Sequence, residues 1–147
     1  MLTVRDLLNQ KETQVHTISP DETAYNALLQ MAEANIGALL VMEGDSLRGI
    51  FSERDYARKV ALRNRSSRNT PVSELMSPDP VCIVPATSVH ECMELMTNKR
   101  LRHLPVEVEN HIVGVISIGD VVRAIISDQR VTIENLEGYI HGTALGG

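Results

Sequence analysis

Shifting the chain against itself by 65 residues superimposes residues 17–60 on residues 82–125 without a gap. Identities fall at Ile18/Ile83, Pro20/Pro85, Met31/Met96, Leu39/Leu104, Val41/Val106, Gly49/Gly114, Ser52/Ser117, Asp55/Asp120 and Arg58/Arg123. An internal repeat constrains the fold more than any local propensity does, because both copies must adopt the same supersecondary unit. A unit of about 50 residues buries too little surface to stand alone. The two copies are therefore expected to share one core.

Ala24, Ala27, Leu28 and Met31 follow the i, i+3, i+4, i+7 spacing of a helix face, and Val89, Cys92, Met93 and Met96 repeat it. Short β-type runs follow: ALLV and LRGIF in the first copy, HLPV and IVGVIS in the second. EGDS and VENH between them are read as hairpin turns. The expected fold class is α+β (α/β-type), with two β-α-β-β-α repeats packed sheet against sheet about a pseudo-two-fold axis. The expected domains are residues 1–65 and 66–147. A helical turn, VRDLL or VSELM, precedes each copy, and the basic stretch LRNRSSRNTP is the linker. That linker is either a solvated connector or a source of Arg63, Arg65 or Arg68 for an anionic ligand. A long C-terminal helix is expected over residues 118–140, where Val122, Ile126, Ile133, Leu136 and Ile140 form a stripe suited to core packing or to a dimer contact.

Composition removes several classes of function. The 147 residues carry a formal charge of −5, which argues against a nucleic-acid binder or a protein held on anionic membranes, since both need a basic field. Any anion site must be local. No apolar run approaches the roughly 18 residues of a membrane span, and the N-terminus lacks an apolar signal core. Cys82 and Cys92 fit neither a disulfide scaffold nor a metal-type spacing, so reduced thiols and a cytoplasmic location are expected. The five histidines form no ligand cluster in sequence. Tryptophan is absent and phenylalanine occurs once, so a bound heterocycle would sit between aliphatic walls.

Chemistry concentrates where each copy reads G-x-x-S-x-x-D, as GIFSERD (49–55) and GVISIGD (114–120). A serine followed three residues later by an acid, at a strand-to-helix boundary, is a capping box that satisfies orphan helix N–H groups. The same corner also suits a ligand. A helix N-terminus attracts phosphate, whereas a carboxylate accepts from a sugar's hydroxyls. Hydroxyl, acid and flexible glycine, placed twice at equivalent corners, describe a nucleotide site. No G-x-G-x-x-G, Walker or G-x-S-x-G pattern is present, nor a nucleophile–base constellation, so a regulatory binding module is expected rather than an enzyme. A structural dimerisation module with degenerate sites is the alternative.

With LRHLPV (101–106), FSERDYARKV, RSS and GVISIGDVVRAI, these tandem corners resemble a pair of cystathionine-β-synthase (CBS) domains, or Bateman module, of the stand-alone kind. The resemblance spans nearly the whole chain. It implies an adenosine nucleotide between the copies, with AMP first, then ADP or ATP. NAD(H) would fit two adenosine-type sites, and S-adenosylmethionine would be disfavoured by basic groups.

Carried over by position, Asp120 would hold the ribose hydroxyls and Ser117 would lie near ribose or phosphate, with Ile118 and Gly119 inside the corner. The backbone around Val81, Cys82, Ile83 and Pro85 would read the adenine edge, and Val106 and Val115 would be walls. Arg102 and His103 would approach phosphate. In the first copy Ser52 and Asp55 correspond, with Thr17, Ile18 and Pro20 as the adenine loop. There Gly37 and Ala38 replace Arg102 and His103, and Arg54 stands where the second copy has Gly119. The second site is therefore expected to be the better one. The implied output is a homodimer or a separate regulated protein.

Overall fold

The computed structural model describes residues 1–11 and 14–129. In chain order the elements are α1 (Val4–Asn9), β1 (Thr17–Ile18), α2 (Ala24–Ala34), β2 (Ala38–Glu43), β3 (Ser46–Ser52), α3 (Glu53–Tyr56), β4 (Ser77–Pro78), α4 (Val89–Lys99), β5 (His103–Val108) and β6 (His111–Ser117). A further helix, α5, runs through residues 118–129. The fold is mixed α+β, and neither compact unit is assembled from contiguous sequence. Among the described residues, a central unit takes 14–83 and 104–115, and a terminal unit takes 1–11, 84–103 and 116–129.

The central unit is built on a four-stranded sheet in the order β1-β2-β3-β4. β1 runs parallel to β2, with Ile18 opposite Val41. β2 and β3 form the expected hairpin, with an irregularity between Val41 and Met42 and a turn through Gly44 at φ 61°. That positive φ is one that glycine adopts without a Cβ penalty. The core gathers Ile18, Ala24, Ala27, Met31, Leu39, Val41, Phe51, Val60, Val72 and Leu75, so the anticipated α2 face is the buried one.

Strand β4 has no counterpart in the sequence reading. Pro78 cannot donate to a ladder, which confines such a strand to an edge, and its register partner is Gly49. After α3 the helix widens into a π-turn at Ala57–Ala61.

The hairpin and the first helix of the second repeat reproduce those of the first. β5 buries the same positions as β2, and β6 the same positions as β3. Ile83 bridges Val106 in parallel, as Ile18 meets Val41. Helices α2 and α4 both terminate on a left-handed residue, Asn35 and Arg100, each at φ 55°. In the β5–β6 turn, Glu109 and Asn110 both take positive φ, as a two-residue hairpin connection favours. Buried apolar residues of the terminal unit include Val4, Leu7, Val89, Cys92, Met96, Ile116, Val121 and Ala124.

The leading segments are exchanged. Residues before the second repeat close the helix of the first: Thr70 O and Ser67 O accept from the Ala24 and Tyr25 N–H groups, both at 2.9 Å. Residues before the first repeat close the helix of the second, where Leu2 O accepts from Val89 N–H at 3.0 Å and Thr3 bridges Ser88. These bonds satisfy donors that a helix start otherwise leaves open. The linker is thus a structural strap. Its Arg65 pairs with Glu74 and its Arg68 lies 4.0 Å over the Tyr25 ring, so both guanidinium groups have internal partners.

Of the expected C-terminal stripe, Val122 and Ile126 are 41% and 46% exposed, while Ile133, Leu136 and Ile140 lie outside the described residues. Among the described residues no helix is long and apolar enough to cross a membrane.

Candidate functional site

Both S-x-x-D corners fold as the capping boxes their spacing dictates. At the head of α3 the Ser52 hydroxyl accepts from Asp55 N–H at 3.1 Å. Asp55 Oδ2 accepts in return from Ser52 N–H and from the hydroxyl, each at 3.0 Å. At the head of α5, Ser117 Oγ accepts from Asp120 N–H at 3.2 Å and Asp120 Oδ2 accepts from Ser117 N–H at 2.8 Å. A cap of this kind is worth about 1 kcal/mol, so capping accounts for part of the repetition.

The corners differ in what holds the second side of each carboxylate. In the central unit Asp55 Oδ1 faces Lys59 Nζ at 3.4 Å and Ser77 Oγ at 3.4 Å, while Lys59 also donates to Leu75 O at 2.9 Å. In the terminal unit Asp120 Oδ1 accepts from Arg123 at 2.9 Å, and Oδ2 accepts from Lys11 at 2.8 Å. Asp120 has 11% of its side-chain surface exposed, against 36% for Lys11 and 73% for Arg123. Burial pushes its carboxyl upward, but the hydrogen bonds from Lys11 and from the Ser117 backbone outweigh that and hold it below the ordinary aspartate range. The acid is kept charged in a largely covered, locally cationic setting.

Glycine plays different parts in the two corners. A Cβ on Gly119 would stand 3.2 Å from an Arg123 guanidinium nitrogen, so the bare backbone there admits the arginine. A Cβ on Gly49 would meet Met76 Sδ and Ser77 O, both at 2.7 Å. The close approach at Gly49 is therefore made by β4 of the same unit.

The remaining anticipated residues fall into separate groups. Ile118 N–H donates to Arg102 O at 2.8 Å, which fixes the segment before β5 against the head of α5. Arg102 is exposed, His103 half-buried, Ile118 exposed and Gly119 half-buried. Val81 and Cys82 are half-buried beside β5. Ile83 engages β5 with both backbone groups, donating to Pro105 O and accepting from Glu107 N–H, each at 2.9 Å. Pro85 belongs to the terminal unit, where its carbonyl accepts from Arg5 N–H at 3.0 Å. Val106 is wholly buried and Val115 half-buried. In the first repeat Thr17 O accepts from Gln30 Nε2 at 2.9 Å, Pro20 O accepts from Ser73 N–H at 3.0 Å, and Ile18 is buried. Arg54 is exposed on α3.

Lys11, Arg123 and Lys59 were missed by the sequence reading. Arg123 and Lys59 stand at i+3 and i+4 from their acids, a spacing that brings helical neighbours together. Lys11 lies 109 residues from Asp120 and has no local signature.

An open groove of about 470 Å³ in the central unit presents Asp45, Asp79 and Glu107 beside Cys82 and Asn110. Three carboxylates make it a poor phosphate site. Burial and Glu107 push the Cys82 thiol up, away from thiolate reactivity. Among the described residues no group of His, Cys, Asp or Glu could hold a metal ion.

A duplicated β-α-β-β-α unit, with a capped acid at each strand-to-helix corner, defines a tandem-repeat α+β protein. The CBS domain family model matches residues 4–62 and 72–127, and the chain belongs to that family as a CBS pair. It is similar to the mitochondrial CBS domain-containing protein CBSX3 of Arabidopsis thaliana, with 41% identity over 127 residues that cover 83% of this chain and 62% of that protein. It thus spans under two thirds of that relative. A solved CBS-domain protein of Burkholderia ambifaria shares 46% identity and superimposes with a TM-score of 0.83, covering 86% of this chain and 96% of the other. CBSX2, solved in complex with AMP, shares the fold at 22% identity and a TM-score of 0.70, covering 88% and 99% of the two chains. CBS pairs are regulatory modules, and CBS domains bind adenosine nucleotides.

Proposed function

We propose that this chain is a non-catalytic adenylate sensor that takes AMP at the Asp120 corner and signals through a change in its own conformation or assembly. The observation that carries this reading is the Asp120 carboxylate itself. It is largely covered and held charged, with two cationic side chains on it at the head of α5. Acid for a ribose diol and cations for a phosphate are the two chemistries a nucleotide brings. The Asp55 corner has one cation and that cation is tied to Leu75 O, so it is the weaker site. The AMP bound by CBSX2 makes AMP the first ligand to test, ahead of ADP, ATP and NAD(H). Asp120, Ser117, Arg102 and His103, all of the terminal unit, are the proposed ribose and phosphate groups.

Signalling follows from linkage: a ligand shifts an equilibrium by as much as its affinity differs between the two states. The exposed Ile118, Val122 and Ile126, spaced by four along α5, are the proposed surface for a homodimer or a regulated protein.

Thermal shifts test the reading. AMP, ATP, NADH and S-adenosylmethionine are compared on the wild type, Asp55→Ala and Asp120→Ala, each against its own ligand-free melt. A ligand at one hundred times its Kd adds about 2.7 kcal/mol of stability. Asp120→Ala is expected to lose most of the AMP gain and Asp55→Ala less. Equal gains in all three proteins refute the assignment, and no gain with any nucleotide favours a purely structural pair.

A further inference from the structure

The acceptor capacity of Asp120 is almost full. A carboxylate oxygen offers about two lone-pair sites. Oδ2 already accepts from Ser117 N–H and from Lys11 Nζ, both at 2.8 Å, and Oδ1 accepts from Arg123 at 2.9 Å. A ribose diol gripping the carboxylate needs one site on each oxygen, so one donor must leave Oδ2. The Ser117 bond belongs to the capping box that starts α5 and is fixed by the backbone. Lys11 is the donor that can leave: its side chain is a third exposed, on a flexible four-carbon stem just beyond α1.

We infer that Lys11 occupies the ribose position of Asp120 in the ligand-free chain and transfers its ammonium to the ligand's 5′-phosphate on binding, which makes it the residue that selects nucleotides over nucleosides. This inference rests on the adenosine reading of the preceding subsection. A nucleoside displaces Lys11 and offers the ammonium no new anion. A nucleotide displaces it and supplies one beside Arg123 and the helix N-terminus. Lys11 is thus a competitor toward the sugar and a partner toward the phosphate. Because it follows α1, its release also couples ligand binding to the N-terminal segment that closes α4.

Calorimetric titration of AMP and adenosine into the wild type, Lys11→Met, Lys99→Met and Asp120→Asn tests the assignment. Lys99, at the far end of α4, calibrates the effect of simply removing a positive charge. Lys11→Met is expected to weaken AMP about tenfold and to tighten adenosine at least threefold, whereas Lys99→Met changes neither by more than about twofold. Loss of AMP binding in Asp120→Asn, with Lys11→Met indistinguishable from Lys99→Met, overturns the inference and leaves the adenosine site standing. Failure of the wild type to bind either ligand overturns both.

Discussion

Adding one methyl group at Gly49 tests the packing of the central unit against a calculable clash. The new Cβ would stand 2.7 Å from Ser77 O and from Met76 Sδ, and 2.9 Å from Met76 Cγ. Ordinary contact begins near 3.4 Å, so the β4 backbone must retreat by roughly 0.7 Å. A flexible methionine can turn aside, but a carbonyl in a strand pair cannot. Overpacking of this kind costs about 1–3 kcal/mol, which for a chain of this length lowers Tm by roughly 3–10 °C. Gly37→Ala is the matched control, because its Cβ would meet only Glu53 Oε1 at 3.8 Å. That substitution is expected to leave Tm unchanged or raise it slightly by restricting the unfolded chain. Met76→Ala in the Gly49→Ala background relieves the sulfur contact but not the carbonyl one, so it recovers only part of the loss. Circular-dichroism melts of the four proteins decide the matter. A Gly49→Ala melt within 1 °C of wild type, or full rescue by Met76→Ala, refutes the reasoning.

Asp120 should impose a pH signature on stability. Its folded carboxyl lies below the ordinary value of 3.8, so its stabilising contribution is present above that value and lost as pH falls through the lower folded one. The stability difference between wild type and Asp120→Asn, followed by denaturant titration, should be constant from pH 7 to pH 5 and shrink below about pH 4. Cys92 is wholly buried and its thiol is pushed up to about 11, first by burial and then by Glu91. Ellman's reagent at pH 8 should leave it unmodified until the protein unfolds, with Cys82 reacting first; rapid modification of Cys92 in the native state contradicts its burial. Arg100 ends α4 in the left-handed region at φ 55°, where a Cβ crowds the carbonyl and Asn is better tolerated through local hydrogen bonds. Arg100→Asn, matching Asn35 in the other repeat, should raise stability by a few tenths to about 1 kcal/mol by chemical denaturation, and a loss would show that the arginine has a stabilising role.

The repeat made most of the architecture readable, because helix and strand periods recur at equivalent positions and each copy corroborates the other. Ala24, Ala27 and Met31, with Val89, Cys92 and Met96, are the buried faces that the spacing demanded. The S-x-x-D corners were legible as capping boxes for the same reason, since a cap depends only on residues three apart. What escaped were the contacts that local pattern does not encode. The exchange of leading segments pairs Leu2 with Val89 and Thr70 with Ala24 across long stretches of chain. Strand β4 contains a proline and only two residues, so its propensity is silent and its existence rests on the approach to Gly49. Lys11 reaches Asp120 only because α1 packs with the second repeat, and one lysine in a polar N-terminus carries no signal of that. The cations that separate one corner from the other are thus partly tertiary information.

The most direct test of the central claim is a crystal structure grown with AMP. It should place the ribose hydroxyls at about 2.7 Å from the two oxygens of Asp120 and the phosphate within reach of Lys11 and Arg123. Nucleotide bound elsewhere, with Lys11 still on Asp120 Oδ2 and the carboxylate serving only its own helix, would contradict it.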